Sequence, residues 1–167
     1  FGDEIHSRLS EMQQRQQNAE YLPFPSAKFV LVHTFSHLLI KQLCFQSGYQ
    51  AASIKERLYV NDLKGMCGVL IYTADADSEG SLGGLVRMSD EKRLADSIRS
   101  MLDTAGWCSA DPTCIEIGSP GTRGLNKAAC HACSLISETS CAYMNALLDR
   151  GLLIGSKSEN LKGYFDQ

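Results

Sequence analysis

Between Cys108 and Cys141 lie five of the chain's seven cysteines, packed into 34 residues, while Cys44 and Cys67 are the two found elsewhere. The same stretch is made largely of Cys, Ser, Pro, Gly and Asn and is too poor in large apolar residues to build a core of its own. Something other than hydrophobic burial must order it. Cys130-His131-Ala132-Cys133 is a Cys-x-x-Cys turn, the spacing that brings two thiolates to one tetrahedral metal ion. A single turn of this kind is a weak signal. Its company strengthens it: with Cys108, Cys114 and Cys141 there are five candidate thiols for the four places of a structural zinc site. Four cysteines close the coordination sphere, so the ion activates no water and acts as a staple.

Two other readings of the thiols are weaker. Free cysteines that serve as small buried hydrophobes sit inside apolar runs, as Cys44 and Cys67 do, and those two read as core residues. The five clustered cysteines sit among Ser, Asp, Thr and His instead. A redox Cys-x-x-Cys opens a helix directly after a buried strand, and no strand precedes Cys130. The odd total excludes complete internal pairing. No window reaches the ~18 apolar residues of a membrane span, and no charged-then-apolar leader is present, so the expectation is a soluble, cytoplasmic chain with reduced thiols. A first residue other than Met, Phe1, suggests a piece of a longer protein.

The hydrophobic pattern predicts an α+β fold: a single, mainly helical domain with a small sheet and a zinc-stapled, loop-rich C-terminal segment. Residues 1–23 read as a polar helix or a linker, 24–155 as the zinc-binding domain and 156–167 as a tail. Ile5, Leu9 and Met12 recur at helical spacing in the first part. Ser26 sits at an N-cap position, and Ala27 to about Gln46 reads as a core helix closed by Gly48. Residues 54–60 read as a strand or a short helix. Met66 to Thr73, MCGVLIYT, reads as a buried strand. Ser89 or Asp90 caps a helix with Leu94, Ile98, Met101, Leu102 and Ala105 on one face, ending at Gly106. A last helix is expected from about Glu138 through Arg150, with Met144, Leu147 and Leu148 inward and Gly151 near its end.

Three further constellations bear on catalysis. His33 and His37 stand at i and i+4, half of a zinc-peptidase signature, but Thr34 occupies the place of the general-base Glu. A hydrogen-bonded, partly buried pair is the default for them. Asp75, Asp77 and Glu79 alternate like a calcium loop, yet the twelfth position is Val86. They would serve a metal-dependent nuclease or hydrolase only by converging on an open pocket, with His33 or His37. The glycines from Gly80 to Gly84 lack the Lys-Ser/Thr of a P-loop. A net charge of −3 disfavours a stand-alone nonspecific DNA binder, whose affinity comes from Lys and Arg releasing phosphate counterions.

Taken together, HTFSHLLIKQL, GVLIYTADADSEGSLGGLV, WCSADPTC, AACHAC, ETSC and NALLDR resemble one family. It is the zinc-binding MZB domain that accompanies superfamily 2 DNA helicases of the MrfA type. More closely, the chain is similar to the C-terminal domain of the DrmB family of DISARM antiphage components, over roughly residues 24 to 155. The resemblance implies zinc ligation at Cys114, Cys130 and Cys133, with Cys108 or Cys141 completing the set. It implies a non-catalytic domain that works beside a helicase subunit and engages DNA through the complex. Asn145, Leu148, Asp149 and Arg150 match the family's closing motif, where helix capping, packing and DNA contact all remain open. A pure protein-interaction domain is the third class, keeping zinc without nucleic-acid contact.

Overall fold

The computed structural model describes residues 3–17, 21–73, 84–116, 124–157 and 160–166. Its axis is helix α2, Ala27–Ser47. Ser26 is extended and its hydroxyl accepts the Phe29 N–H at 3.1 Å, while Gly48 adopts φ 73° and donates its N–H to the Cys44 carbonyl. These are the N-cap and left-handed C-cap that the sequence implies. Phe29, Val30, Leu38, Leu39, Ile40 and Leu43 are buried on several sides of α2, and so are His33, Thr34, Ser36 and His37. A helix apolar nearly all round belongs at the centre of a domain.

Other elements pack round this axis. Helix α1, Asp3–Gln16, buries Ile5, Leu9 and Met12 against Phe29, Val30, Leu125, Leu147 and Leu152. Strands β1, Ile54–Asn61, and β2, Met66–Thr73, form an antiparallel pair in register from Ile54↔Thr73 to Asn61↔Met66. A short helix α3, Gly84–Met88, leads to α4, Glu91–Ala105, capped by the Asp90 carboxylate on the Arg93 N–H. Met101 and Ala105 of α4 are buried against Leu38, Leu39 and Leu43, with Leu94, Ile98 and Leu102 half-buried beside them. Two four-residue helices follow, α5, Thr113–Glu116, and α6, Gly151–Ile154.

Two sequence expectations are corrected. Residues 66–73 form a strand, but none of them is buried: Met66, Cys67, Leu70, Tyr72 and Thr73 are exposed. Among the described residues only β1 pairs with β2, so one face meets α2 through Val69 and Ile71 while Leu70 and Tyr72 on the other are exposed. Cys67, expected in the core, is therefore at the surface.

The helix expected over Glu138–Arg150 does not form. Met144, Asn145 and Leu147 take φ of 54°, 55° and 62°, the left-handed region that costs L-residues about 1–2 kcal/mol each. Specific hydrogen bonds offset that cost. The Asn145 side chain accepts the Ile136 N–H and donates to the Ile136 carbonyl, both at 3.0 Å. Asn126 donates to the Asn145 carbonyl at 2.7 Å and accepts the Leu148 N–H. Backbone bonds from Leu147 to Leu125, Lys127 to Leu148 and Arg150 to Ala128 lay 145–150 along 125–128. The apolar spacing at Leu147 and Leu148 is satisfied by full burial without a helix.

A buried ion pair ties this segment to α1. Arg8 holds Asp149 through Nε at 2.6 Å and a second guanidinium N–H at 2.8 Å, both side chains almost wholly out of solvent. Replacing Asp149 with Ala strips that buried cation of its carboxylate, and the expected loss is about 3–5 kcal/mol. Urea unfolding should show a lower midpoint with an unchanged slope.

Candidate metal centre

The end of α4, helix α5 and the turn at 130–133 converge on one point. The sulfur of Cys108 is 3.5 Å from that of Cys130, Cys130 is 3.7 Å from Cys133, and Cys114 is 3.7 Å from Cys133. All four Sγ atoms lie within 4.8 Å of one another. A tetrahedron with Zn–S bonds of about 2.3 Å has edges of about 3.8 Å, so the observed spacing is close to that of a metal thiolate site. It is far too long for disulfides, whose S–S bond is about 2.05 Å.

Local backbone fixes these positions. The Ala110 N–H points at Cys108 Sγ at 3.4 Å, and the Cys130 N–H at Cys133 Sγ at 3.3 Å. Ser134 Oγ donates to the same sulfur. The Ser134 and Leu135 N–H groups both close on the Cys130 carbonyl, which turns the chain back after the knuckle. Donors aimed at sulfur suit thiolates better than thiols.

Two cations flank the cluster. Lys41 of α2 donates to the His131 and Ala132 carbonyls at 3.1 and 3.2 Å, holding the knuckle against the helix. Arg150 is fully buried and donates to the Ala105 carbonyl at 2.7 Å and to Asp111 Oδ1 at 2.8 Å. The other Asp111 oxygen accepts the Cys108 N–H at 2.8 Å. Arg150 thus reaches a cysteine through one carboxylate. Four thiolates around a dication carry a net negative charge, and these two side chains oppose it at short range.

The thiols are not equivalent. Burial pushes Cys108 and Cys114 up, and neighbouring sulfurs push Cys114 further. Burial acts in the same direction on Cys130, but hydrogen bonds from the Cys133 and Ala132 backbone and from the Cys108 thiol outweigh it and bring Cys130 to about 7.

The remaining sequence candidates lie elsewhere. Cys141 is buried away from the four thiols, beside His33, His37 and Glu56. The histidines are more than partly buried: both are at 0% exposure. Asp75, Asp77, Glu79 and Gly80 to Gly83 lie outside the described residues. Asn145, Leu148, Asp149 and Arg150 are buried and pack the segment together. Glu56 was missed by sequence reasoning, because Lys55-Glu56-Arg57 reads as a charged interruption. Strand alternation was the available signal, since Ile54 and Glu56 share the inward face of β1.

A compact helical domain with four convergent cysteines and a frame of compensating cations defines a metal-binding domain of the thiolate type. Residues 35–134 match the family model MZB, the MrfA Zn-binding domain, and the chain belongs to that zinc-binding family. It is also 47% identical over 137 residues to the DISARM protein DrmB of Bacillus paralicheniformis. That match takes in 82% of this chain and 24% of the relative, so the chain spans about a quarter of the relative's length. The matched residues contain Cys108, Cys114, Cys130 and Cys133, whereas His33 and Cys141 fall outside them.

Because burial holds Cys108 and Cys114 protonated at neutral pH, thiolate ligation of zinc must displace their protons, and affinity should rise with pH. Calorimetry of zinc binding near pH 7.5, in buffers of different ionisation enthalpy, should show release of more than about one proton per zinc. Binding without proton release would contradict ligation by these thiols.

Proposed function

We propose that Cys108, Cys114, Cys130 and Cys133 ligate one structural zinc ion, and that the domain is a non-catalytic scaffold in a DISARM-like antiphage protein. The observation that carries this reading is the closed thiolate set, which leaves no position for a substrate or an activated water. The imidazoles that a hydrolase would draw on, His33 and His37, are sealed in the core and face Glu56. The likeness to a DISARM protein supports a role in a multicomponent defence system. Within it, the domain would sit beside a helicase subunit and meet DNA through the complex. The charge of −3 fits DNA contact shared with a partner better than contact by this domain alone.

No helix among the described residues is long and apolar enough to cross a membrane. The surface that zinc would hold in place is partly apolar. Phe45 and Trp107 are 86% and 72% exposed and flank Ala132 and Cys133 in a groove between α2, α4 and the knuckle. Exposed aromatics beside an ordered turn are common anchors of protein interfaces.

Protein purified without added zinc should carry about one more zinc ion per chain than the double variant Cys130→Ser, Cys133→Ser. Limited proteolysis of that variant should cut the 108–141 segment rapidly, and unchanged resistance there would refute the staple. For the DNA role, binding by the isolated domain should be weak and nearly flat against salt. The assembled complex should lose affinity steeply as salt rises.

A further inference from the structure

A second cluster of metal-ligating side chains lies inside the domain, at the junction of α2, β1 and the 136–149 loop. His33 Nε2 is 3.1 Å from Glu56 Oε1 and 3.3 Å from Cys141 Sγ, and His37 Nε2 is 3.3 Å from the same Glu56 oxygen. One ligand atom from each of the four residues lies within 4.8 Å of every other, and all four residues are buried. A tetrahedral zinc has N–O and N–N edges of about 3.3 Å and N–S edges of about 3.6 Å. The observed separations approach those values.

Hydrogen-bond polarity shows what the cluster lacks. His37 Nδ1 is 3.0 Å from the Ser134 carbonyl, which can only accept, so Nδ1 carries the proton. In the neutral ring Nε2 is then a lone pair, and it points at a carboxylate oxygen. Two acceptors facing each other at 3.3 Å, out of water, repel unless a proton or a metal cation lies between them. The other Glu56 oxygen, Oε2, is buried with no hydrogen-bond partner among the described residues.

The surroundings resemble those of a ligated site. Cys141 Sγ receives the N–H groups of Tyr143 and Asn145, each at 3.3 Å, as Cys108 Sγ in the four-thiol cluster receives the N–H two residues on. The His37 ring, oriented by a backbone carbonyl through Nδ1, matches the usual outer support of a metal-bound imidazole. Phe29 and Tyr143 wall the cluster, their ring centroids 5.5 and 5.4 Å from that of His33.

We propose that His33, His37, Glu56 and Cys141 form a second, closed zinc site that pins the 136–149 loop to α2 and β1. Two imidazoles, one carboxylate and one thiolate are a borderline-soft donor set that suits Zn²⁺. The site is independent of the four-thiol cluster and shares no ligand with it.

The test is zinc content per full chain, purified under reducing conditions without added metal, together with zinc-edge X-ray absorption. About two zinc ions per chain are expected, with a mixed shell of sulfur at about 2.3 Å and nitrogen or oxygen at about 2.0–2.1 Å. Cys141→Ser and His33→Gln should each lower the content towards about one and leave an all-sulfur shell. One zinc per chain in the unaltered protein, with an all-sulfur shell, would overturn the second site and leave the four-thiol site standing. One zinc with a nitrogen-rich shell, kept in Cys133→Ser and lost in Cys141→Ser, would support the second site and remove the first. The shell of the unaltered protein decides the matter even if a variant fails to fold.

Discussion

The Asp149-Arg150 dipeptide is where the domain is tied together. Asp149 faces α1 through the bidentate Arg8 pair, and its N–H reaches α2 through the Thr34 hydroxyl at 2.9 Å. Arg150 faces the other way, to the last carbonyl of α4 at Ala105 and to Asp111 beside Cys108. Neighbouring side chains of opposite charge thus link the hydrophobic core to the thiol cluster, each with its own partner of opposite sign. Buried charges alone do not show a stabilising gain over apolar residues of the same shape, because desolvation is expensive. What they impose is uniqueness: with Arg8, Thr34, Ala105 and Asp111 fixed, no other register satisfies both side chains. That requirement explains why 144–147 accepts left-handed backbone. A helix there would satisfy local preference but would carry Asp149 and Arg150 away from these partners.

The segment from 108 to 141 depends on that frame. With few large apolar side chains it gains little from burial, and its order comes from polar bonds and from the thiols. Four sulfurs brought within tetrahedral distance repel one another as thiolates, and burial adds a desolvation cost to that same charged form. The raised Cys108 and Cys114 express that conflict. A dication relieves both penalties at once, and Lys41 and Arg150 take up what negative charge remains. The spacing of the four sulfurs therefore suits a bound dication, whose charge would stabilise the thiolates.

Much of this was legible in the sequence where periodicity and capping agree. Helix α2 begins at Ser26 and ends at Gly48 as its caps require, and Asp90 starts α4. The knuckle at Cys130 and Cys133 was readable from spacing and composition, which left Cys108, Cys114 and Cys141 as candidates for the other two places. Three things were not. MCGVLIYT has the composition of a buried strand, but with β1 as its one partner among the described residues that composition cannot ensure burial; the number of neighbours decides it. The end motif NALLDR carries helical spacing at Leu147 and Leu148, yet the long-range partners of Asn145, Asp149 and Arg150 override that preference. Cys141 could not be separated from the other thiols by spacing, because what removes it is a contact across more than a hundred residues with His33.

That separation gives α2 a second role besides its core packing. His33, His37 and Lys41 stand at i, i+4 and i+8, so they form one stripe along the helix. His33 meets Cys141, His37 meets the Ser134 carbonyl, and Lys41 meets the carbonyls of His131 and Ala132. The coreless segment from 131 to 141 therefore runs along one face of α2, in the opposite chain direction, with a polar contact at each helical turn. An apolar stripe would let such a segment slide, since burial is nondirectional. Three directional contacts at fixed spacing set its register. The four-thiol cluster stands at the Lys41 end of this stripe and the mixed His, Glu and Cys cluster at the His33 end. The helix thus acts as a ruler for the loop, and the exposed Trp107 and Phe45 beside its Lys41 end inherit a rigid backing from it.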